Sequence, residues 1–251
     1  SIIIPCKNSE LYIKKTLSSL ALQKSFFEVV FVCSDSEDET LNILKKFKNR
    51  FIKKKIIKKN CGISNALNFG IRASTGKFIM WIGSDDIVAK NFVTKIKKIL
   101  EKRKGSKWII TKTKVLSNKK FLKNIIEKYK FYKLKTLTFN NLLTENPISA
   151  PGVIFSKKFI SEVGNFNPKY IFNSDYDMWL RMYYKEKPLV INTLSTYFNR
   201  HPNSLSSRYF VKQFNEQFYI SNKYKEKNFL KKIFQLIKIF IILSTYKLFK
   251  Y

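Results

Sequence analysis

The chain has 251 residues, of which 45% are hydrophobic, so it is long and apolar enough for one large domain with a buried core, which excludes a disordered chain. Its net charge of +32 points to an anionic partner, yet only six of its 49 basic residues are arginine. Because nucleic-acid readers depend on arginine for bidentate contacts, the lysine excess favours either a solubilising surface or attraction to an anionic membrane, with no nucleic-acid partner.

The cysteines and the single histidine exclude some classes of site. Cys6, Cys33 and Cys61 lack a Cys-x-x-Cys spacing, and His201 is far from all three in sequence. This argues against a zinc site and a disulfide framework, and favours reduced thiols in the cytoplasm. Since Ser1 leads directly into an apolar run, we expect the sequence to start at or just inside a domain edge, so a removed leader cannot be judged.

The first hundred residues alternate strand and helix patterns. We predict strands at 2–5, 28–33, 51–57 and 77–82, and helices at 9–23, 39–48 and 63–73. Ser9 is suited to cap the first helix, and its Leu11, Leu17 and Leu20 are expected to face the core. This order predicts a mostly parallel sheet with helices on both faces, a fold that binds ligands beyond the carboxyl ends of its strands.

Polar segments follow all four predicted strands. They occupy residues 7–8, 34–38, 60–62 and 84–86. Since the carboxyl ends of parallel strands meet at one edge, we expect a single polar rim there.

The chemistry of this rim points to a metal. The chain has no Gly-x-Gly-x-x-Gly and no Walker A loop to hold phosphates. Asp85 and Asp86 instead follow the apolar run 78–82, and Mg²⁺ or Mn²⁺ prefers one or two carboxylates together with phosphate oxygens. Such an ion stabilises a departing diphosphate. The alternative is that the pair only caps a helix beginning near Lys90.

Two later clusters supply further candidates. Asp175 precedes a helix predicted to begin at Asp177, and a carboxylate there is suited to take a proton from an acceptor hydroxyl; the alternative is an N-cap. His201 follows a predicted strand at 189–198 and lies in a Pro/Asn/Ser loop, a suitable place for a metal ligand. The alternative is that His201 has only a structural role or is simply exposed to solvent.

Taken together, these segments resemble family 2 glycosyltransferases of the GT-A fold, the group that builds bacterial surface polysaccharides. The segments that carry the resemblance are 1–5 with Asn8, 36–40, 62–71, 75–86, 162–166, 174–181 and 200–206. Each is weak alone, but their order and spacing are specific, and they cover about residues 1–207.

The resemblance implies a role for each candidate. Asp85 and Asp86 match the end of the family's D-x-D motif, with Asp86 as the direct metal ligand. Asp175 matches the catalytic base, and His201 matches a histidine that approaches the metal or diphosphate. The residues expected to bind the nucleotide-sugar are Pro5, Asn8, Ser34, Asp35, Asn60, Gly62, Asn68, Ser84 and Asp85.

The implied reaction is a metal-dependent, inverting single displacement. The donor is a nucleotide-diphosphate sugar, UDP-sugar by default, and the acceptor is a glycan or a lipid-linked molecule in cell-surface polysaccharide synthesis. The chain departs from the family pattern at Ser34, Leu67 and Ser174, where Asp, Arg and Glu are usual, and at the start of the D-x-D motif, where it has Gly83-Ser84 rather than Asp. These changes concern positions that select the donor more than positions that set the reaction class.

We expect a catalytic domain at 1–207, with a donor half at 1–104 and an acceptor half at 105–207, and a helical tail at 208–251. The apolar part of the tail, 233–246, is shorter than the ~20 residues that span a bilayer and is interrupted by Lys238. Its basic flanks favour a helix lying on the inner face of the cytoplasmic membrane, as a peripheral contact with anionic lipid. The alternative is a helix packed on the catalytic domain.

Two other functions remain as alternatives. A nucleotidyltransferase needs a Gly-rich loop after the first strand, where this chain has Pro5 to Asn8. A non-catalytic basic module that binds a membrane or polyanion predicts salt-sensitive binding without turnover. It gives no reason for carboxylates at strand ends.

Overall fold

The computed structural model describes residues 1–116, 120–199, 201 and 204–224, and it is an α/β fold built on one sheet. Its eight strands in the described part are β1 Ile2–Cys6, β2 Phe27–Cys33, β3 Ile52–Lys58, β4 Phe78–Trp81, β5 Ile87–Val88, β6 Trp108–Leu116, β7 Val153–Ser156 and β8 Leu189–Asn199. Their spatial order is β3-β2-β1-β4-β7-β6-β8-β5.

Most strands of the sheet run in one direction. β1 is parallel to both β2 and β4, β2 is parallel to β3, and β6 is parallel to β8. β7 is antiparallel to β4 and to β6, so β4 and β6 share a direction. The carboxyl ends of β1, β2, β3, β4, β6 and β8 therefore meet at one edge, as the sequence predicted.

Helices cover both faces of the sheet. They are α1 Glu10–Ala21, α2 Thr40–Lys46, α3 Ile63–Ala73, α4 Phe92–Lys102, α5 Lys120–Lys135, α6 Phe139–Thr144, α7 Lys157–Val163, α8 Ser174–Lys185, α9 Leu205–Arg208 and α10 Phe210–Asn222. One face packs against α1, α2 and α4, and the other against α3, α7 and α8.

Alternation along β1 shows how the strand serves both faces. Ile3 belongs to the cluster under α3 and α8, whereas Ile2 and Ile4 belong to the cluster under α1. Burying each of these side chains stabilises the fold by about 1.5–3 kcal/mol. A central strand with two covered faces must be apolar throughout, which is why the run has no polar residue.

The first helix differs from its prediction at its cap and on one face. Ser9 is the N-cap residue, but its side chain makes no capping hydrogen bond to the helix. Leu17 and Leu20 are buried as expected, but Leu11 is 73% exposed and Ile13 takes the inward position. Residues 13, 17 and 20 follow the spacing of one helix face, whereas Leu11 lies two positions before Ile13 and therefore points away.

α10 belongs to the packed domain, although the sequence analysis placed it in the tail. Ile220 is buried in the same cluster as α8. The apolar stretch 233–246 and both interpretations of it lie outside the described residues. Within the ranges that the structure describes, no helix combines the length and apolar character needed to cross a membrane.

Candidate functional site

Asp86 closes the turn that follows β4. It is 1% exposed, and its Oδ2 accepts a hydrogen bond from the Gly83 amide at 2.8 Å, while Oδ1 accepts one from the Asn199 amide at 3.2 Å. Burial and the neighbouring charge of Asp85 raise the pKa of Asp86 to about 7. Both oxygens are used by backbone N–H groups, so Asp86 fastens the end of β4 to the end of β8.

Asp85 faces the other way and contacts His201. Its Oδ2 lies 2.9 Å from His201 Nε2, although the two residues are 116 positions apart. The Tyr12 ring stacks on the imidazole with centroids 4.2 Å apart, and the His201 carbonyl accepts from the Ser204 hydroxyl at 2.8 Å. The imidazole Nδ1 is buried and has no hydrogen-bond partner among the described residues.

Asp85 and His201 fit a divalent cation as ligands. A carboxylate oxygen and an imidazole nitrogen are ligands that suit Mn²⁺, and here the two atoms lie side by side, 2.9 Å apart. The predicted direct ligand, Asp86, is enclosed, and each of its carboxylate oxygens accepts a backbone hydrogen bond, so its contact with the metal stays a prediction.

An ion bound here would need further ligands. The described ranges contain no group of three or more His, Cys, Asp or Glu side chains able to hold a metal. A nucleotide-sugar diphosphate supplies oxygens of the kind that complete such a shell.

The turn after β4 is tight around Gly83. A Cβ at Gly83 would collide with the Asp85 carboxylate and would press on Asp86. A larger residue at 83 would therefore require the Asp85 side chain to move. The alternative of a helix cap is excluded, because β5 intervenes and α4 starts at Phe92 with Asn91 as its N-cap.

Asp175 occupies the first turn of α8. The helix begins at Ser174 with Asn173 as its N-cap, earlier than the predicted start at Asp177. Asp175 is partly exposed, and its Oδ1 accepts from the Tyr176 amide at 2.8 Å. Burial raises the pKa of Asp175 to about 6, and the negative charge of Glu216 adds to the rise. A carboxylate with this pKa can act as a base near neutral pH.

The direction of α8 brings its amino end to the carboxyl edge of the sheet. Trp108, at the amino end of β6, donates from Nε1 to the Glu186 carbonyl just after α8 at 2.8 Å. Before the other end of α8, the Tyr170 carbonyl accepts from the Ser64 hydroxyl at 3.4 Å, in the first turn of α3 at the carboxyl edge. Asp175 therefore lies toward the same edge as Asp85 and His201.

A guanidinium holds the start of α8 in place. Arg181 pairs with Asp177 through Nε at 2.9 Å and Nη2 at 2.8 Å, and it donates to the carbonyls of Val163 and Asn165, each at 2.9 Å. This contact joins two of the segments that carry the family resemblance.

Asn68 has a different role from the one predicted. It is 7% exposed, and its amide exchanges two hydrogen bonds with the Phe166 backbone, at 2.8 and 2.9 Å. Both halves of the amide are used, so we reassign Asn68 from donor binding to the packing of α3 against the segment before α8.

The loops after β1 and β2 are tied together at the rim. Asn8 is exposed and has a left-handed backbone with φ 45°, and its Oδ1 accepts from the Glu37 amide at 3.1 Å. Ser34 donates from its hydroxyl to the Cys61 carbonyl at 2.8 Å, while Asp35 is exposed. The predicted donor residues of these loops thus line one edge.

The remaining predicted donor residues also lie at this edge. Pro5 is partly exposed near the end of β1, and Asn60 and Gly62 are exposed after β3. The Ser84 hydroxyl lies 2.8 Å from that of Ser9 on the neighbouring loop. Asn68 is the exception, because the protein itself uses its polar atoms.

Sequence reasoning missed the roles of two carboxylates near the rim. Asp38 accepts from the amides of Glu10 at 2.9 Å and Thr40 at 3.0 Å, and so caps α1 from another loop. Glu216 on α10 accepts from the backbone just before α8. The contacts with Glu10 and with the start of α8 have no local pattern, because the partners are distant in sequence.

Comparisons with known proteins identify the family. The family profile described as Glycosyl transferase family 2 matches residues 1–164. An uncharacterised glycosyltransferase of Rickettsia prowazekii is 27% identical over 191 residues, covering 73% of this chain and 58% of the relative. The poly(ribitol-phosphate) beta-N-acetylglucosaminyltransferase TarS of Staphylococcus aureus is 38% identical over 95 residues, covering 36% of this chain and 17% of TarS. The chain thus spans only part of the length of these relatives.

Solved structures are similar over most of the chain. The crystal structure of S. aureus TarS 1–349 with UDP-GlcNAc has a TM-score of 0.67 at 21% identity and covers 87% of this chain and 64% of that one. The mannosyltransferase PcManGT from Pyrobaculum calidifontis, in complex with GDP-Man and Mn²⁺, has a TM-score of 0.61 at 14% identity, with 92% and 65% covered. These likenesses confirm the predicted GT-A fold, and with the family match they establish that the chain belongs to glycosyl transferase family 2.

Proposed function

We propose that the protein is a metal-dependent, inverting glycosyltransferase. It moves a sugar from a nucleotide-diphosphate sugar, UDP-sugar by default, to a glycan or lipid-linked acceptor in cell-surface polysaccharide synthesis. The catalytic domain is taken as residues 1–207, to which α10 adds supporting contacts.

The contact between Asp85 and His201 at 2.9 Å carries this proposal. It places an oxygen and a nitrogen ligand side by side at the carboxyl edge, where a parallel sheet binds nucleotides. Nothing in the packing of the core requires a carboxylate and an imidazole at this point.

Asp175 acts as the base in the proposed reaction. Its carboxylate takes the proton of the acceptor hydroxyl while the hydroxyl oxygen forms a bond to the anomeric carbon. The bond from that carbon to the diphosphate oxygen breaks, and the nucleoside diphosphate leaves with the electron pair. Attack opposite to the leaving group inverts the anomeric centre.

Asp85 and His201 would hold the divalent ion, Mn²⁺ or Mg²⁺, beside the donor diphosphate. When bound, the ion supplies positive charge that stabilises the leaving group. Asp86 supports this site indirectly, because it fixes the turn that presents Asp85.

The charge of the chain and the names of its relatives favour an anionic acceptor. The net charge is +32. TarS is named for transfer to poly(ribitol phosphate), and a relative in Bacillus subtilis is named as a minor teichoic acid biosynthesis protein. A lysine-rich surface attracts such polymers at a distance and raises their local concentration.

Replacement of the base tests the proposed reaction. Nucleotide-sugars are first screened by thermal shift with Mn²⁺, since a donor that binds only the folded state raises Tm. With the donor so found, Asp175→Asn should bind it unchanged but lose transfer by at least about a hundredfold. Glu162→Gln, a surface carboxylate on α7, is the matched control and should transfer normally. If Asp175→Asn transfers as well as the unaltered protein, the assignment of the base is wrong.

A further inference from the structure

Glu216 holds the backbone that leads into α8. From α10, its carboxylate accepts hydrogen bonds from three consecutive amides, those of Ile171 at 2.9 Å, Phe172 at 2.8 Å and Asn173 at 2.7 Å. Three converging N–H donors on one carboxylate form an anion-binding arrangement of the kind that usually receives a ligand. Here the ligand is a side chain of the same protein.

The held segment ends two residues before the proposed base. Asn173 is the N-cap of α8, and its side-chain amide donates to the Gln213 carbonyl, also on α10, at 2.7 Å. Its own side chain makes no capping hydrogen bond to α8. α10 therefore fixes both the backbone and the side chain of Asn173, and so determines where Asp175 is placed.

Glu216 is also the charged group that α10 directs toward Asp175. Two other charged groups near the start of α8 have partners of their own. Asp177 pairs with Arg181 at 2.8 Å, and Lys223 donates to the Tyr170 hydroxyl at 2.7 Å. The negative charge of Glu216 opposes ionisation of Asp175, which makes Asp175 a stronger base once it is ionised.

We propose that Glu216 is a positioning residue for transfer, which orients Asp175 through the amides of residues 171–173 and strengthens it as a base through its negative charge. This inference rests on the proposed function, because it assigns Asp175 the role of base. It extends the catalytic unit beyond residue 207 to α10. A chain cut at 207 would lose the contact altogether.

The test is the pH dependence of transfer in Glu216→Gln. An amide replaces one oxygen by NH₂, so at least one of the three backbone contacts is lost, and a base displaced by a fraction of an ångström should lower kcat about tenfold. Loss of the negative charge should also lower the pKa of Asp175, so the acidic limb of kcat should move to lower pH. The dissociation constant of the donor should not change. Glu162→Gln removes the same charge on α7 and should shift neither quantity.

Glu216→Asp separates the effect of the charge from the effect of side-chain length, and it also controls for misfolding. It keeps the charge on a shorter side chain, so kcat should fall while the acidic limb stays where it is in the unaltered protein. A purely structural role predicts that both variants lower Tm without moving the limb, and an unmoved limb in Glu216→Gln overturns the inference. Asp175→Asn in the same assay separates the two proposals. If that variant is inactive, an unmoved limb in Glu216→Gln overturns only the role of Glu216. If that variant is active, the proposed base itself is wrong.

Discussion

Two adjacent aspartates at the end of β4 differ in their surroundings, and the difference separates their roles. Asp86 is 1% exposed and bonded to two backbone amides, whereas Asp85 is partly exposed and contacts His201. The sequence could show that carboxylates follow the strand, but not which one turns inward. That choice depends on the Asn199 amide, which lies on a strand 113 residues away.

Replacing each aspartate by asparagine should separate metal binding from folding. Asp85→Asn should raise the Mn²⁺ concentration for half-maximal transfer by at least about tenfold with little loss of stability. Asp86→Asn should lower the free energy of unfolding by about 1–3 kcal/mol, because an NH₂ group then faces a backbone donor. The measurements are a Mn²⁺ titration of transfer and urea unfolding. If Asp86→Asn instead raises the Mn²⁺ requirement and Asp85→Asn instead lowers stability, Asp86 is the metal ligand.

At the scale of elements, the family segments are joined by hydrogen bonds that the sequence does not reveal. α3 was predicted with its observed bounds because its apolar spacing is regular and Gly62 precedes it. The start of α1 was predicted within one residue, but its cap is Asp38 from another loop rather than the Ser9 side chain. The start of α8 was predicted three residues late, since Glu216 braces it from α10. Local pattern thus predicts periodic elements, whereas contacts between distant segments decide how they begin.

Arg181 should matter for stability through its shape as well as its charge. Arg181→Lys keeps one positive charge but cannot reach Asp177, Val163 and Asn165 together, so the free energy of unfolding should fall by about 2 kcal/mol. Arg103→Lys at the end of α4 is a conservative control that should change it by less than about 0.5 kcal/mol. Equal effects of the two substitutions in urea unfolding would refute this role for the guanidinium.

For the molecule as a whole, the carboxyl edge of the sheet holds the candidate site, and a carboxylate with a structural role lies at the opposite edge. Glu28, at the amino end of β2, pairs with Lys55 of β3 at 2.9 Å and accepts from the Thr75 amide before β4 at 2.7 Å. Burial opposes ionisation, but hydrogen bonds from Ser1, Thr75 and Lys55 lower the pKa of Glu28 to about 2.

Acid should remove the stability that Glu28 supplies. A carboxylate whose folded pKa lies below its unfolded value of 4.5 stabilises the fold above pH 4.5, and this contribution disappears as the pH falls toward 2. At pH 7, Glu28→Gln should therefore lower the free energy of unfolding by up to about 3 kcal/mol, and by much less at pH 3. Urea unfolding of both proteins at the two pH values measures the difference. A deficit that does not shrink at pH 3 would show that its origin is not electrostatic.

The proposed function depends most on one arrangement, in which Asp85, His201 and Asp175 face the same bound nucleotide. A crystal of the protein with UDP and Mn²⁺ tests it directly, because the anomalous signal of manganese locates the ion. We expect one manganese peak in contact with Asp85, His201 and the diphosphate. We also expect Asp175 to face the space beyond the second phosphate, where the sugar of the donor would lie. A manganese peak distant from Asp85 and His201, or UDP bound at the amino ends of the strands, would contradict it.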